Sequence, residues 1–196
     1  MCSQETSLRS AITGSVEEVG RYIEITARDL EALRRLKPRA APLIPRLAGK
    51  VASLLLGDPQ ARDALERSGV TEESLRSLFE GWLHTLFDGG YDEEHAVMLA
   101  RIGLTHVRVP TAGRLIVSVM GAFHVELLRL ASTPRESEAL AKAFYWNLAV
   151  ISLVYEKVRE SICSYFMRDN RRLAERLIDL FSREIYEELG DPATRK

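Results

Sequence analysis

Residues 92–108 read DEEHAVMLARIGLTHVR, and the interpretation of the whole chain turns on them. Asp92 follows Gly89-Gly90 and stands where a helix N-cap belongs, because a carboxylate there can accept backbone N–H groups that the first turn leaves unpaired. Glu93 and Glu94 fall in that first turn, where negative charge favours the positive end of the helix dipole. Met98, Leu99, Ile102 and His106 then recur at helical spacing, while Arg101 and Arg108 lie off that line. One helix thus carries an apolar stripe that ends in an imidazole. Such a stripe is compatible with plain core. It is also what a haem requires: an apolar wall for the porphyrin and a neutral imidazole for the iron.

Outward from this stretch the pattern is helical nearly throughout, with no sustained alternation of β-branched and polar residues. Upstream, Thr71-Glu-Glu-Ser caps a helix presenting Leu75, Leu78, Phe79, Trp82 and Leu86 on one face and ending at Gly89-Gly90. Gly57-Asp58-Pro59 separates a short helix over 59–67 from one spanning about 41–56, whose inner face is Leu43, Leu47, Val51, Leu54 and Leu55. Thr26, with Asp29 three residues on, caps ARDLEALRRL, and Pro38 is expected to end that helix. Residues 1–14 and 15–23 suggest a tail with one short helix and then a second. Downstream, Pro110 forces a break. A helix over about 111–130 follows, lined on one side by Val117, Met120, His124 and Leu127. Thr133-Pro134 opens another that reaches about Met167, and residues 171–189 remain helical in pattern. The fold class is therefore all-α, and short links with a histidine at the end of the sixth helix suggest a globin-like arrangement.

Composition narrows the partners. The 196 residues suit one domain with a full core. A net charge of −1 offers no basic footprint for nucleic acid. Apolar runs are short and interrupted by charge, so neither a membrane span nor a secretory signal is expected, and a cytoplasmic location is the natural reading. Cys2 and Cys163 are not spaced as a metal site and read as free thiols.

WLHTLFDGGYDEEHAVMLARIGLTHVRV, residues 82–109, resembles the globin-coupled sensor family, in which a Trp, a Phe-x-Gly-x-Tyr-Asp turn and an Ile-Gly-x-x-His tail follow in this order. The likeness covers roughly residues 26–160. It implies a sensor globin with an extra helix ahead of the globin core and an extended C-terminal helix. The expected organisation is a tail and short pre-globin helix (1–25), a globin domain (26–167), and an output or partner-binding helix (168–196). The implied cofactor is haem b with His106 on the iron. The candidate haem contacts are Met98, Leu99, Ile102 and Val109 around it, Val51, Leu78, Phe79 and Trp82 facing it, and Val117 on the next helix. Lys50, Arg101 and Arg108 are candidate propionate partners.

Of the other histidines, His95 and His84 read as solvated. His124 reads as pocket wall or helix–helix contact. His95 is eleven residues before His106, about 16 Å along a helix, so the two cannot share one iron. Members of the family usually place Phe-Tyr before the turn matching Gly57-Asp58-Pro59, and the Tyr hydroxyl hydrogen-bonds oxygen. Here that pair falls on Val51-Ala52, with Ser53 a short substitute. The resemblance thus implies a sensor of O2, CO or NO, with oxygen disfavoured, working through a homodimer and a C-terminal effector or partner. The alternatives are a haem-free globin-like module that binds proteins, and a haem peroxidase or nitric oxide dioxygenase. A peroxidase would want a distal His–Arg pair, which the facing helix does not offer. No nucleotide loop, nucleophile elbow or metalloprotease motif is present, so this segment reads as non-enzymatic.

Overall fold

The computed structural model describes residues 8–108, 113–166, 176 and 180. Among them are eight α-helices and no strand: α1 (Leu8–Tyr22), α2 (Ala27–Ala40), α3 (Ile44–Gly57), α4 (Pro59–Arg67), α5 (Glu72–Asp88), α6 (Glu93–Arg108), α7 (Gly113–Leu128) and α8 (Pro134–Phe166). Two compact units are distinguished, residues 1–155 and 156–196. The core and the site described below belong to the first. Apart from residues 176 and 180, the helical pattern read over 171–189 lies outside the described residues, as does Val109.

The helix starts follow local capping chemistry. Thr26 and Asp29 form a reciprocal box: Asp29 N–H donates to Thr26 Oγ1 at 3.3 Å, and Thr26 N–H donates to Asp29 Oδ2 at 2.8 Å. The Asp29 side chain is buried, and Lys142 and Arg135 of α8 each reach it at 3.3 Å. One carboxylate therefore caps α2 and ties it to α8. Asp58 accepts from Ala61 N–H at 2.9 Å to start α4, and Asp92 accepts from His95 N–H at 3.0 Å to start α6.

Two boundaries differ from the sequence reading. α1 is a single helix through Ser15 rather than two short ones, and it packs on α6. α2 runs through Pro38 to Ala40. Pro38 removes only one N–H, and the chain then tightens into a 3-10 turn over Ala41–Leu43 that absorbs Pro42 and leaves Pro45 in the first turn of α3.

α3 packs on α4, α5 and α7, and α2 packs on α5. By length and composition, Ala27–Gly57 (α2, the 3-10 turn and α3 together) passes the test for a membrane-crossing helix, which the interrupted runs had not suggested. Its apolar side is core: Leu33, Leu36, Ile44, Leu47 and Val51 are all buried. α6 meets α8 at Gly103, where a Cβ would stand 3.1 Å from Val154 Cβ. A side chain at this position would crowd Val154, so glycine suits the close approach of the two helices.

Candidate functional site

The tails of α3 and α4 and the bodies of α5, α6 and α7 surround an apolar cavity of about 180 Å³. α6 contributes Ile102, Thr105 and His106; α5 contributes Leu75, Leu78, Phe79 and Trp82. Leu55, Ala61, Leu65 and Val70 close one end, Leu115, Ile116, Val119 and Met120 of α7 another, and Ile151 of α8 the floor. Leu78 is 61 % exposed while lining the cavity, so the space opens to solvent beside it.

His106 is half-buried, and burial lowers its proton affinity below the ordinary histidine value. A neutral imidazole with a free lone pair follows at neutral pH, which is the form that binds a metal. The Tyr155 hydroxyl donates to the His106 carbonyl at 3.1 Å, fixing the end of α6 against α8. Thr105 beside it donates its hydroxyl to the Arg101 carbonyl at 3.0 Å. Among the described residues no hydrogen bond joins the His106 ring to the carbonyl of Ile102 or Gly103 one turn back.

The candidate contacts divide. His106, Ile102, Leu78, Phe79 and Trp82 line the cavity. Leu99 is fully buried but is core, and Met98, half-buried, is likewise not on the lining. Val51 is buried one turn before Leu55, and it is Leu55 that reaches the cavity. Val117 is 54 % exposed: on α7 the inward positions are Leu115, Ile116, Val119 and Met120, so Val117 falls on the opposite side. Five of the six residues from Leu115 to Met120 are apolar, with Ser118 the exception, so the register of this turn is weakly marked in the sequence. Lys50 pairs with Glu126 at 2.5 Å, Arg101 is exposed, and the Arg108 side chain lies outside the described ones.

No donor of a tyrosine's reach faces the cavity from α3. Ala52 lies in a cluster with Leu65 and Leu75, behind the lining, and Ser53 is exposed with its hydroxyl 3.4 Å from Glu72. The Trp82 indole N–H is engaged elsewhere, donating to Asn147 Oδ1 at 3.1 Å. His124 stacks on Phe144 with ring centroids 4.8 Å apart and is not on the lining.

His95 corrects the sequence reading most clearly. It is buried, 6 % exposed, between Tyr91 (4.8 Å between centroids) and Trp146 (5.3 Å). Neither ring nitrogen has a hydrogen-bond partner, and burial lowers its proton affinity despite the nearby Asp92 and Asn147. Room for the ring comes from Gly89, where a Cβ would overlap it and sit 2.8 Å from the Thr85 carbonyl oxygen. Tyr91 takes a left-handed φ of 55° and is held there by its hydroxyl, which donates to the Leu86 carbonyl at 2.6 Å. The Gly-Gly-Tyr-Asp turn is thus a built corner that aims α6, and burial of His95 was not visible from its first-turn position alone.

Comparison with known proteins gives this geometry a setting. A family model described as Protoglobin matches residues 13–182. The solved globin domain of a Geobacter sulfurreducens globin-coupled sensor is similar at 28 % identity with a TM-score of 0.64, covering 71 % of this chain and 96 % of that one. No curated protein sequence matches.

Proposed function

The chain belongs to the protoglobin family and is a globin of the globin-coupled sensor type, and on that premise we propose that it binds haem b through His106 and senses a diatomic gas. The single observation that carries this is the placement of one neutral, half-buried imidazole on the wall of an otherwise apolar cavity between α5, α6 and α7. The residues suit the group: Ile102, Phe79, Trp82, Ile116 and Met120 offer apolar contact, and His106 offers the nitrogen. If bound there, the haem would supply an iron able to take up a small diatomic ligand. The chain's own residues fix the end of α6 that carries the imidazole, through the Gly103 contact and the Tyr155 hydrogen bond to the His106 carbonyl.

The gas side favours ligands that need no hydrogen bond. With Trp82 committed to Asn147 and Val51-Ala52 behind the lining, the described residues present no free donor of tyrosine reach. Carbon monoxide and nitric oxide suit such a wall better than oxygen, whose bound form carries partial negative charge. The loss of one hydrogen bond is about 1 kcal/mol, several-fold in affinity.

We further propose that two copies meet through the outer side of α7. Val117 and Val125 are each 54 % exposed and Leu128 39 %, with exposed Gly121 between them at helical spacing. On α8, Phe144, Trp146, Val150, Ile151 and Val154 are buried within their own chain, and Tyr145, 57 % exposed, remains for such a contact.

Absorption spectroscopy tests the reading. The protein reconstituted with haem is expected to show a strong Soret band, lost or shifted in His106→Ala. Oxygen is expected to leave fast and carbon monoxide slowly. A wild type that takes up no haem overturns the proposal and leaves a protein-binding module as the reading.

A further inference from the structure

We infer that Asn147 determines the gas selectivity of the cavity by holding the Trp82 indole N–H out of it. This rests on the haem reading above and deepens it. Trp82 is the one lining residue on α5 with a polar atom. That atom is an N–H, the kind of donor an apolar distal wall otherwise lacks, and a partly negative ligand such as oxygen would attract it. Its direction is set by a partner 65 residues away, Asn147 Oδ1 at 3.1 Å.

Asn147 is itself fixed. It is fully buried, and its Nδ2 donates to the Ala143 carbonyl one turn back at 2.9 Å. That bond orients the amide so that the oxygen, not the nitrogen, faces Trp82. The indole is also clamped by Phe123 at 5.7 Å and Phe144 at 5.8 Å between ring centroids, so it has little freedom to swing while its acceptor is in place. A buried asparagine is costly unless its hydrogen bonds are used; here Tyr91 and His95 also neighbour the amide, and its described bonds join Trp82 and the Ala143 carbonyl. The remaining polar group on the lining next to His106, the Thr105 hydroxyl, is likewise turned away, to the Arg101 carbonyl. The wall is therefore apolar by arrangement as well as by composition. Asn147 touches neither haem nor gas; it is a positioning residue acting through Trp82.

The test compares wild type with Asn147→Leu, of the same branched shape but larger and without an acceptor, and with Asn147→Ala should the first fold poorly. Asn147→Asp keeps an acceptor oxygen. Two quantities are read: the oxygen affinity relative to carbon monoxide in the haem-loaded protein, and the ¹⁵N–¹H resonance of the Trp82 indole in the protein as purified. In Asn147→Leu the indole resonance is expected to shift upfield and the ratio to rise about tenfold in favour of oxygen. The rise should vanish in Asn147→Leu/Trp82→Phe, and Asn147→Asp should keep the wild-type ratio. An unmoved resonance, an unchanged ratio, or a rise that survives loss of the indole each overturns the inference. If the wild type takes up no haem, the haem reading fails and the selectivity role with it. A shifted indole resonance then shows that the hydrogen bond was assigned rightly and that the failure lies with the haem.

Discussion

Adding side-chain volume at Gly103 should separate α6 from α8 and loosen the end of α6 that carries His106. A Cβ there would stand 3.1 Å from Val154 Cβ, 3.3 Å from its Cγ2 and 3.4 Å from the Ile151 carbonyl oxygen. Comfortable carbon contacts are about 3.5–4.0 Å, so something must give by a few tenths of an ångström. Val154 is fully buried and β-branched, with one favoured rotamer on a helix, so the movement has to come from backbone. Overpacking of this kind costs about 1–3 kcal/mol, while Gly→Ala inside a helix returns about 1. Gly103→Ala should therefore be destabilised by about 0–2 kcal/mol. Gly103→Val, with two more methyl groups and little gain in propensity, should lose about 3 kcal/mol. For a chain of this size that lowers Tm by about 6–12 °C. Thermal unfolding followed by circular dichroism measures both. Removing the obstacle supplies the check: Gly103→Ala with Val154→Ala should be more stable than the two separate losses predict, by about 1 kcal/mol. Additive losses, or a Gly103→Val protein as stable as wild type, would refute the close crossing.

Three further outcomes follow from single residues. His95 is neutral and buried, with a folded proton affinity below that of the unfolded chain, so below about pH 6.5 the unfolded state takes up more protons and stability falls with pH. His95→Phe should flatten the loss between about pH 6.5 and 5 in denaturant titrations; an unchanged slope would show the ring is solvated. Burial alone would raise the Asp29 carboxyl, but hydrogen bonds from Thr26 and the Lys142 ammonium outweigh it and hold it below the ordinary value. Its contribution is therefore present above about pH 4 and lost as pH falls through the depressed value. Asp29→Asn should lose about 1–3 kcal/mol at pH 7 and less at pH 3, and an equal loss at both would remove the ion pairs from the account. Sedimentation equilibrium at tens of micromolar should show a dimer that Val125→Glu converts to monomer with its haem spectrum unchanged; a monomeric wild type would rule out the α7 interface.

The helices were legible because their signals are local. Thr26-x-x-Asp29, Asp58-Pro59, Thr71-x-x-Ser74 and Asp92 each sit within four residues of the backbone groups they satisfy. The side of α6 that faces the cavity was legible from Ile102 and His106 for the same reason. The facing wall was only partly so. Leu78, Phe79 and Trp82 stand on an amphipathic helix whose polar positions mark its outside, whereas α7 from Leu115 to Met120 has Ser118 as its one polar residue and its register depends more on what it packs against. Pro38 misled because a proline's local penalty can be absorbed by a 3-10 turn three residues later.

His95 and His106 show where local reading stops. They stand three turns apart on one helix, and both are neutral for the same physical reason, burial. Their surroundings come from distant segments. His95 is enclosed by the Gly89 backbone, Tyr91 and Trp146, with no open space beside it, so its nitrogens remain unpartnered. His106 borders the cavity that Phe79 of α5 and Ile116 and Met120 of α7 also line. An imidazole with no room beside it serves as core, and an imidazole with an apolar cavity beside it is accessible to a small molecule or cofactor. The difference lies in whether Trp146 or empty volume faces the ring, and no spacing within DEEHAVMLARIGLTHVR encodes that.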